Sequence, residues 1–260
     1  MRNVVFILVC LLSLIGFVGM AQSAQMSLAG AWAFDDSTGK VAKDSVAGNN
    51  GELKGSVKWS AQGKYGGAIE FPGKGDSYVS FPNKNYFDAD PYTITAWVKL
   101  ESKSYQYVFW RNGLDWPEKD LKRHTDMWIM DGSNIAVLMW NHDGGDDFGR
   151  IDGKTAVANG EWHHVAQWHD GKIMRLYVDG KVDGEGTESK LIVNGEDPMW
   201  IGARPGDVSA TGIIDEVGFF TKALSEDELR SVMKQSLTIL ASVDSANKLS
   251  TTWGDLKTKS

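Results

Sequence analysis

The sequence predicts an all-β chain, two antiparallel sheets stacked as a sandwich with one short helix near the C-terminus. Three observations predict it. Apolar and polar residues alternate over short runs rich in Val, Ile, Thr and aromatic side chains, without a helical period. Turn chemistry recurs along the chain, carried by 29 Gly, the residue that adopts positive φ without steric cost. Three Asp-Gly-Lys triplets, at 152–154, 170–172 and 179–181, read as hairpin tips, because Asp-Gly suits a type I′ turn. The 42% hydrophobic and 23% charged fractions exclude a disordered acidic polymer, a collagen and a multi-span membrane protein.

The elements follow in order. Residues 1–24 combine Arg2, an apolar run from Val4 to Val18 and a small-residue exit at Ala21 and Ala24, the pattern of a secretory signal peptide. A retained anchor would want about 20 apolar residues with flanking charges. The only cysteine, Cys10, leaves with that segment. The mature chain then has no disulfide, thiolate metal site or Cys nucleophile. Strands are expected at 28–35, 53–59, 66–71, 77–81, 92–100, 105–110, 126–131, 134–140, 162–168, 173–178, 198–202 and 212–220. The triplet at 170–172 joins the strands 162–168 and 173–178 into a hairpin, and Glu185–Glu188 reads as a turn. Ser225 and Glu228 form a capping box, and Leu229, Val232 and Met233 make the apolar stripe of a helix that packs on the sandwich. No repeat or linker divides the chain. One domain at 26–235 is expected, with 236–260 as a loosely attached tail in which Trp253 can dock.

Lys and Arg total 27 against 34 Asp and Glu, a net charge of −7. With no basic stripe, neither nucleic acid nor an anionic membrane is the expected partner.

The order of the motifs resembles a known family. Ala31-Trp32-Ala33-Phe34-Asp35 and Asp44–Gly51 are followed by Gly63–Phe71, Tyr78-Val79 and Thr93–Val98. Gly160–Ala166, Leu176–Gly180, Ile201-Gly202, Gly212–Val217 and Lys222–Ser225 complete the series. Together they are similar to the laminin G-like jelly-roll domain of the concanavalin A-like lectin/glucanase superfamily, over residues 28–235. The resemblance implies a jelly-roll sandwich. It leaves function open, because lectins, adhesion modules and hydrolases share the fold.

The resemblance also implies a structural calcium ion held between the first strand, the loop after it and the strand near the C-terminus. Asp35 (or Asp36), Asp44, Asn49 and Asp215 occupy those places. Calcium takes six to eight oxygens from carboxylates, amides and carbonyls. The alternative makes Asp44 and Asn49 turn formers and Asp215 a hydrogen-bonded acid.

For ligand binding, the glycine-rich stretch Asn141–Asp147, with Asn141, Asp143 and Asp146, can meet calcium or a sugar hydroxyl, or simply face water. Indole faces are the natural platforms for sugar rings. Trp32, Trp97, Trp162 and Trp200 fall in the family motifs and read as packing residues, whereas Trp110, Trp116, Trp128, Trp140 and Trp168 lie outside them. Trp116 is the foremost candidate, in a loop with Arg111 and Asn112. His163 and His164 are strand neighbours on opposite faces and do not make a zinc pair. Neither Glu-x-Asp-x-x-Glu nor Glu-x-Asp-x-Glu, the carboxylate arrangements of hydrolases on this fold, occurs. There is no nucleophile elbow, phosphate loop or His-Glu-x-x-His. The expectation is a secreted, non-catalytic binding module for a carbohydrate or glycoconjugate, steadied by calcium. An adhesion module for an extracellular protein and a hydrolase or lyase are the alternatives.

Overall fold

The computed structural model describes residues 27–81, 89–101, 105–112, 124–141, 148–187 and 199–243. Its strands are β1 (Leu28–Trp32), β2 (Val41–Ala42), β3 (Gly51–Lys54), β4 (Lys58–Ser60), β5 (Ala68–Pro72), β6 (Tyr78–Phe81), β7 (Tyr92–Leu100) and β8 (Gln106–Asn112). There follow β9 (His124–Ile129), β10 (Ile135–Asn141), β11 (Phe148–Ala156), β12 (His163–His169), β13 (Ile173–Val178), β14 (Lys181–Thr187), β15 (Met199–Ile201) and β16 (Thr211–Phe220). Helix α1 (Glu226–Met233) comes last of the named elements.

The strands form two antiparallel sheets. The first runs β14-β13-β12-β7-β16-β5-β4, with β1 also on β16, and the second runs β11-β10-β9-β8-β15-β6-β3-β2. Along β7, Tyr92, Ile94, Ala96, Val98 and Leu100 enter the core between the sheets, and the intervening residues take the other face. Opposite them, Val79, Phe81, Phe109, Met127, Leu138 and Ile201 come from the second sheet. The sandwich of the sequence reading is present, and its strands lie within a few residues of their expected places.

The differences have physical reasons. The expected strand 53–59 is two strands, β3 and β4, which belong to different sheets because the chain crosses between layers at Gly55. The triplet 152–154 is not a hairpin tip but lies inside β11. Gly153 is needed there for close approach, since a Cβ would sit 2.4 Å from Asp183 Oδ2 and 2.8 Å from the Ala136 carbonyl oxygen. That proximity serves a tie between the sheets: the Asp183 carboxylate accepts from the amides of Lys154 and Thr155 and from the Thr155 hydroxyl, at 2.8, 3.2 and 2.7 Å. At 179–181 the expected turn is found, with φ of 50° at Asp179 and 74° at Gly180. The 170–172 turn joins β12 to β13 by another device, the Asp170 carboxylate accepting from the amides of Lys172 and Ile173 at 2.9 and 2.8 Å. Glu185, expected in a turn, lies in β14.

Helix α1 starts at Ser225 with both bonds of the capping box, and buries Leu229 and Val232. Residues 237–243, assigned to the tail by the sequence reading, are also helical. Leu237, Leu240 and Ala241 are at most 5% exposed and join Leu229, Val232, Trp168, Tyr177 and Phe220 in a cluster on the outer face of the first sheet. The packed body therefore extends past 235. Trp253 lies outside the described residues.

Replacing Leu237 by Ala is expected to cost about 2–4 kcal/mol in urea unfolding, the ordinary penalty of a buried Leu truncation. A loss below about 0.5 kcal/mol, the size of a surface effect, would return this segment to a dangling tail.

Candidate functional site

The two outer faces differ. The first sheet is covered by α1 and residues 237–243. The second carries an aromatic cluster of Tyr107, Trp110, Trp128, Val137 and Trp200, with the partly buried Tyr78, Tyr105, Met130, Ile135 and Val208 against it. Cross-strand register builds this cluster. Ser80 faces Trp200, Trp200 faces Trp110, and Trp110 faces Asp126, so one row runs from β6 through β15 and β8 to β9. The neighbouring row places Tyr107 opposite Trp128 and Trp128 opposite Val137. Tyr107 and Trp110 are three residues apart, a spacing that would put them on opposite faces of a regular strand. A bulge between Tyr107 and Phe109 absorbs the extra residue and turns both outward.

The rings pack on one another and under guanidinium groups. Tyr105 stacks on Trp128 with centroids 4.4 Å apart, and Tyr107 meets Trp110 edge-on at 5.0 Å. Arg150 lies 5.3 Å above the Trp128 ring and Arg204 lies 5.0 Å above Trp110. Both cations are also tied to acids. Arg150 makes a two-point contact with Asp152 at 2.6 and 3.2 Å, and Arg204 is 3.4 Å from Asp207. The tight turn after β15, closed by the Asp207 amide donating to the Arg204 carbonyl, carries Arg204 and Val208 to the rim. The Tyr107 hydroxyl donates to that of Tyr105 at 3.3 Å. Burial raises both phenol pKa values, and the nearby Asp126 carboxylate pushes the same way, so both hydroxyls keep their protons at neutral pH.

Trp128 Nε1 is buried without a hydrogen bond, in a residue 5% exposed. A buried indole N–H ordinarily finds an acceptor, and one that does not needs an explanation. An aromatic floor, a free donor, protonated phenols and an acceptor carboxylate are the groups that hold polyhydroxylated rings.

Trp200, read from sequence as a packing residue, is 4% exposed and packs in this outer-face cluster beside Trp110 and Trp128. Trp116, Asp143 and Asp146 fall outside the described residues, and Asn141 is described only as the backbone end of β10. Arg111 is 6% exposed and follows Trp110 in β8, on the opposite face. It lies close enough to the buried Tyr92 to act on that hydroxyl. Sequence reasoning missed Tyr105, Tyr107, Asp126, Arg150 and Arg204. The i, i+2 pairs Tyr105/Tyr107 and Asp126/Trp128 were the available signal. His163 and His164 do face opposite ways: the His163 ring contacts Asp179 Oδ2 at 2.8 Å, while His164 packs edge-on to Trp97.

The four residues named for calcium divide into two groups. The Asp44 carboxylate accepts four amides, from Ala31, Val46, Ala47 and Asn49, at 2.9–3.2 Å. Its acceptor sites are thereby filled. The unpartnered atom of Asn49 is Nδ2, a donor. Asp36, the alternative to Asp35, is engaged with the Lys43 amide and ammonium. Elsewhere, Asp35 accepts from the Gly67 amide, and Asp215 accepts from the amides of Lys64, Tyr65 and Glu216. Among the described residues no group of three or more His, Cys, Asp or Glu side chains is placed to hold a metal ion. The expected quartet does not fit a calcium cage. Asp215 and Glu216 are instead buried acids at the point where β16 changes neighbour from β5 to β1. Burial pushes Asp215 up to about 8, with Glu216 adding to the rise, and burial pushes Glu216 up to about 7.

A laminin G family model, described as the concanavalin A-like lectin/glucanases superfamily, matches residues 73–230. A search of curated proteins finds no match. Among solved structures, domain 4 of AbnA, a GH43 extracellular arabinanase from Geobacillus stearothermophilus, in complex with arabinotriose, is similar. It is 20% identical with a TM-score of 0.63, over 80% of this chain and 98% of that one. The CBM40 of Ruminococcus gnavus IT-sialidase bound to α2,3-sialyllactose is 18% identical with a TM-score of 0.53, over 64% and 96%. The binding domain of Paraclostridial Mosquitocidal Protein 1 is 15% identical with a TM-score of 0.64, over 80% of this chain and 52% of that one. At these identities the likeness establishes the fold.

The buried acids set a pH dependence. In the unfolded chain they ionise near 4, and in the fold near 8 and 7. Their contribution is therefore complete below about pH 4 and is lost as pH rises through the folded values. His164, lowered to about 4 by burial, has the opposite slope, confined below its unfolded value near 6.5. Between pH 6.5 and 8.5, in chelator, the thermal midpoint is expected to fall by about 5–10 °C, from a loss of about 2–3 kcal/mol. Asp215→Asn should flatten that fall. A midpoint that rises over this range, or that climbs when calcium is added, would argue for an ion at Asp215.

Proposed function

Because the chain belongs to the concanavalin A-like lectin/glucanases superfamily, we propose that it is a non-catalytic glycan-binding module whose ligand lies on the outer face of the second sheet. The observation that carries the reading is the buried, unpartnered N–H of Trp128 within a floor of Trp110, Trp200, Tyr105 and Tyr107. A sugar hydroxyl accepts that N–H and donates in turn to Asp126, while ring C–H groups rest on aromatic edges. Glycan-bound neighbours of the same fold, with arabinotriose and with sialyllactose, support the ligand class.

The non-catalytic part of the proposal rests on where the perturbed acids sit. Glycoside hydrolysis wants two carboxyls flanking a substrate cleft. Asp215 and Glu216, the acids raised furthest, are 0% and 3% exposed on the other sheet and are bonded to backbone amides. Their work is to fix the chain. Export through residues 1–24 belongs to the same proposal, with the module extracellular, periplasmic or at the cell surface. Among the described residues no helix is long and apolar enough to cross a membrane.

Titration of the mature chain with neutral oligosaccharides, arabinotriose first, is expected to quench indole fluorescence. Trp128→Phe keeps the ring and removes the donor, and should weaken binding about five- to tenfold, the worth of one hydrogen bond. Trp168→Phe, on the covered face, should bind as the parent does. Unaltered binding in Trp128→Phe would move the site elsewhere, and the absence of glycan binding in the parent would end the reading.

A further inference from the structure

We infer that the protein has a second glycan-binding recess, for neutral oligosaccharides, on the first sheet beyond its helical cover; this rests on the glycan-binding reading for its ligand class, not for its place. The cover ends at a definite row. Asp215, Trp97 and His164 lie opposite one another across β16, β7 and β12 and are at most 6% exposed. The next outward row, Glu70 on β5, Ile213 on β16 and Lys99 on β7, is wholly or partly open to solvent. There the surface forms a recess of about 590 Å³, lined also by Ser60, Gln62 and Thr211. Ordinary ligand pockets span about 300–1,000 Å³.

The polar groups of this recess are uncommitted. Elsewhere on the same sheet Arg175 is bound to Glu185 and lies over Trp168, and Lys222 is bound to Glu228. Among the described residues, neither the Lys99 ammonium nor the Glu70 carboxylate has an ion pair or hydrogen bond, although Lys58 stands opposite Glu70 on β4. The Thr211 hydroxyl and the Gln62 side-chain amide are equally unengaged among those residues. Strands lie about 4.8 Å apart, so Lys99 and Glu70 stand roughly two such spacings apart with Ile213 between them. A donor, an apolar floor and an acceptor in one line suit hydroxyls, each of which both gives and takes a hydrogen bond. Trp162 adds an aromatic surface. It precedes β12, and continuing the register in which His163 faces Val98 sets it opposite Lys99, on the face of His164. Unlike Trp128 and Trp200 it is part-exposed, and among the described residues it has no hydrogen bond, ring contact or overlying cation. A sugar ring can lie against it without displacing another group.

The test is calorimetric titration of the mature chain with arabinotriose, xylotetraose and cellotetraose. Two ligands per chain are expected for at least one of them. Trp162→Ala and Lys99→Met, both at part-exposed positions, should each weaken one of the two sites at least about tenfold, the worth of a stacking surface or a charge-assisted hydrogen bond. Trp128→Phe should weaken the other site alone. In the parent chain the same glycans should shield Trp162 from oxidation by N-bromosuccinimide, read by peptide mapping, a measurement that needs no variant to fold. A single ligand per chain that depends on Trp128 and leaves Trp162 open to the reagent overturns the inference and leaves the earlier reading intact. A single ligand that depends on Trp162 and Lys99 but not on Trp128 supports the recess and overturns the placement on the second sheet. Binding of no glycan overturns both.

Discussion

A β-sheet has two faces, and a sandwich buries only one of each. What becomes of the other face determines what this protein can do. On the first sheet the second face is closed by α1 and by residues 237–243, which bury Leu229, Val232, Leu237 and Leu240 against Trp168, Tyr177 and Phe220. The closure is fastened from the middle of β16. There the Glu216 carboxylate accepts the Leu237 amide at 2.6 Å, and the adjacent Asp215 accepts the amides of Lys64 and Tyr65. The Tyr65 hydroxyl then donates to the Met233 carbonyl at 2.7 Å, linking that loop to the end of α1. A two-residue acidic step thus holds a strand switch, a loop and two helical segments. On the second sheet the described residues show no comparable fastening, and the outer-face aromatics Tyr107, Trp110, Trp128 and Trp200 pack on one another at 3–5% exposure.

Much of the fold was legible because it depends on local rules. Alternation located β7, β12 and β13, and the Ser225–Glu228 box located α1, since both signals lie within a few consecutive residues. The failures are non-local. Nothing near Gly153 announces that Asp183, thirty residues on, will need the space of a side chain. Nothing in Leu237 or Leu240 tells a tail from a docked helix until Glu216 supplies an anchor for the Leu237 amide. Likewise β3 and β4 read as one run, because a change of layer leaves no mark on apolar periodicity.

The candidate site was legible only in part, for a related reason. The sequence drew attention to indoles outside the family motifs, and Trp110 and Trp128 are among them. It assigned Trp200 to packing, and Trp200 does pack, at 4% exposure, in the cluster with Trp110 and Trp128, though on the outer face, which a motif position does not reveal. Trp110 joins Tyr107 only through the bulge after Tyr107, and a bulge shifts every later side chain to the opposite face. The calcium quartet illustrates a different limit. Asp44 has the residue type of a ligand, but four amides fill it. Residue type can nominate an acid, while its hydrogen-bond saturation is a property of the folded chain.

The indoles themselves separate structure from function. Trp32 donates to the Asn49 carbonyl at 3.0 Å, Trp59 to Gly39 at 2.8 Å and Trp168 to Leu224 at 2.8 Å. Each is a large apolar body fixed by one bond to the backbone, as a packing residue should be. Trp97 and Trp128 share the opposite trait, a buried N–H without an acceptor. Their surroundings differ. Trp97 lies on the first sheet in the row that joins His164 to Asp215, with the Lys64 ammonium 4.0 Å over its ring, on the face that the helical segments cover. Trp128 lies on the second sheet, between Tyr105 and Arg150, with Asp126 two residues away on the same face. An unsatisfied donor costs about 1–3 kcal/mol wherever it is buried. On a covered face that cost has no return. On the face proposed for binding a ligand hydroxyl would recover it, and this difference of setting, rather than the number of tryptophans, is what singles out Trp128 in the proposed site.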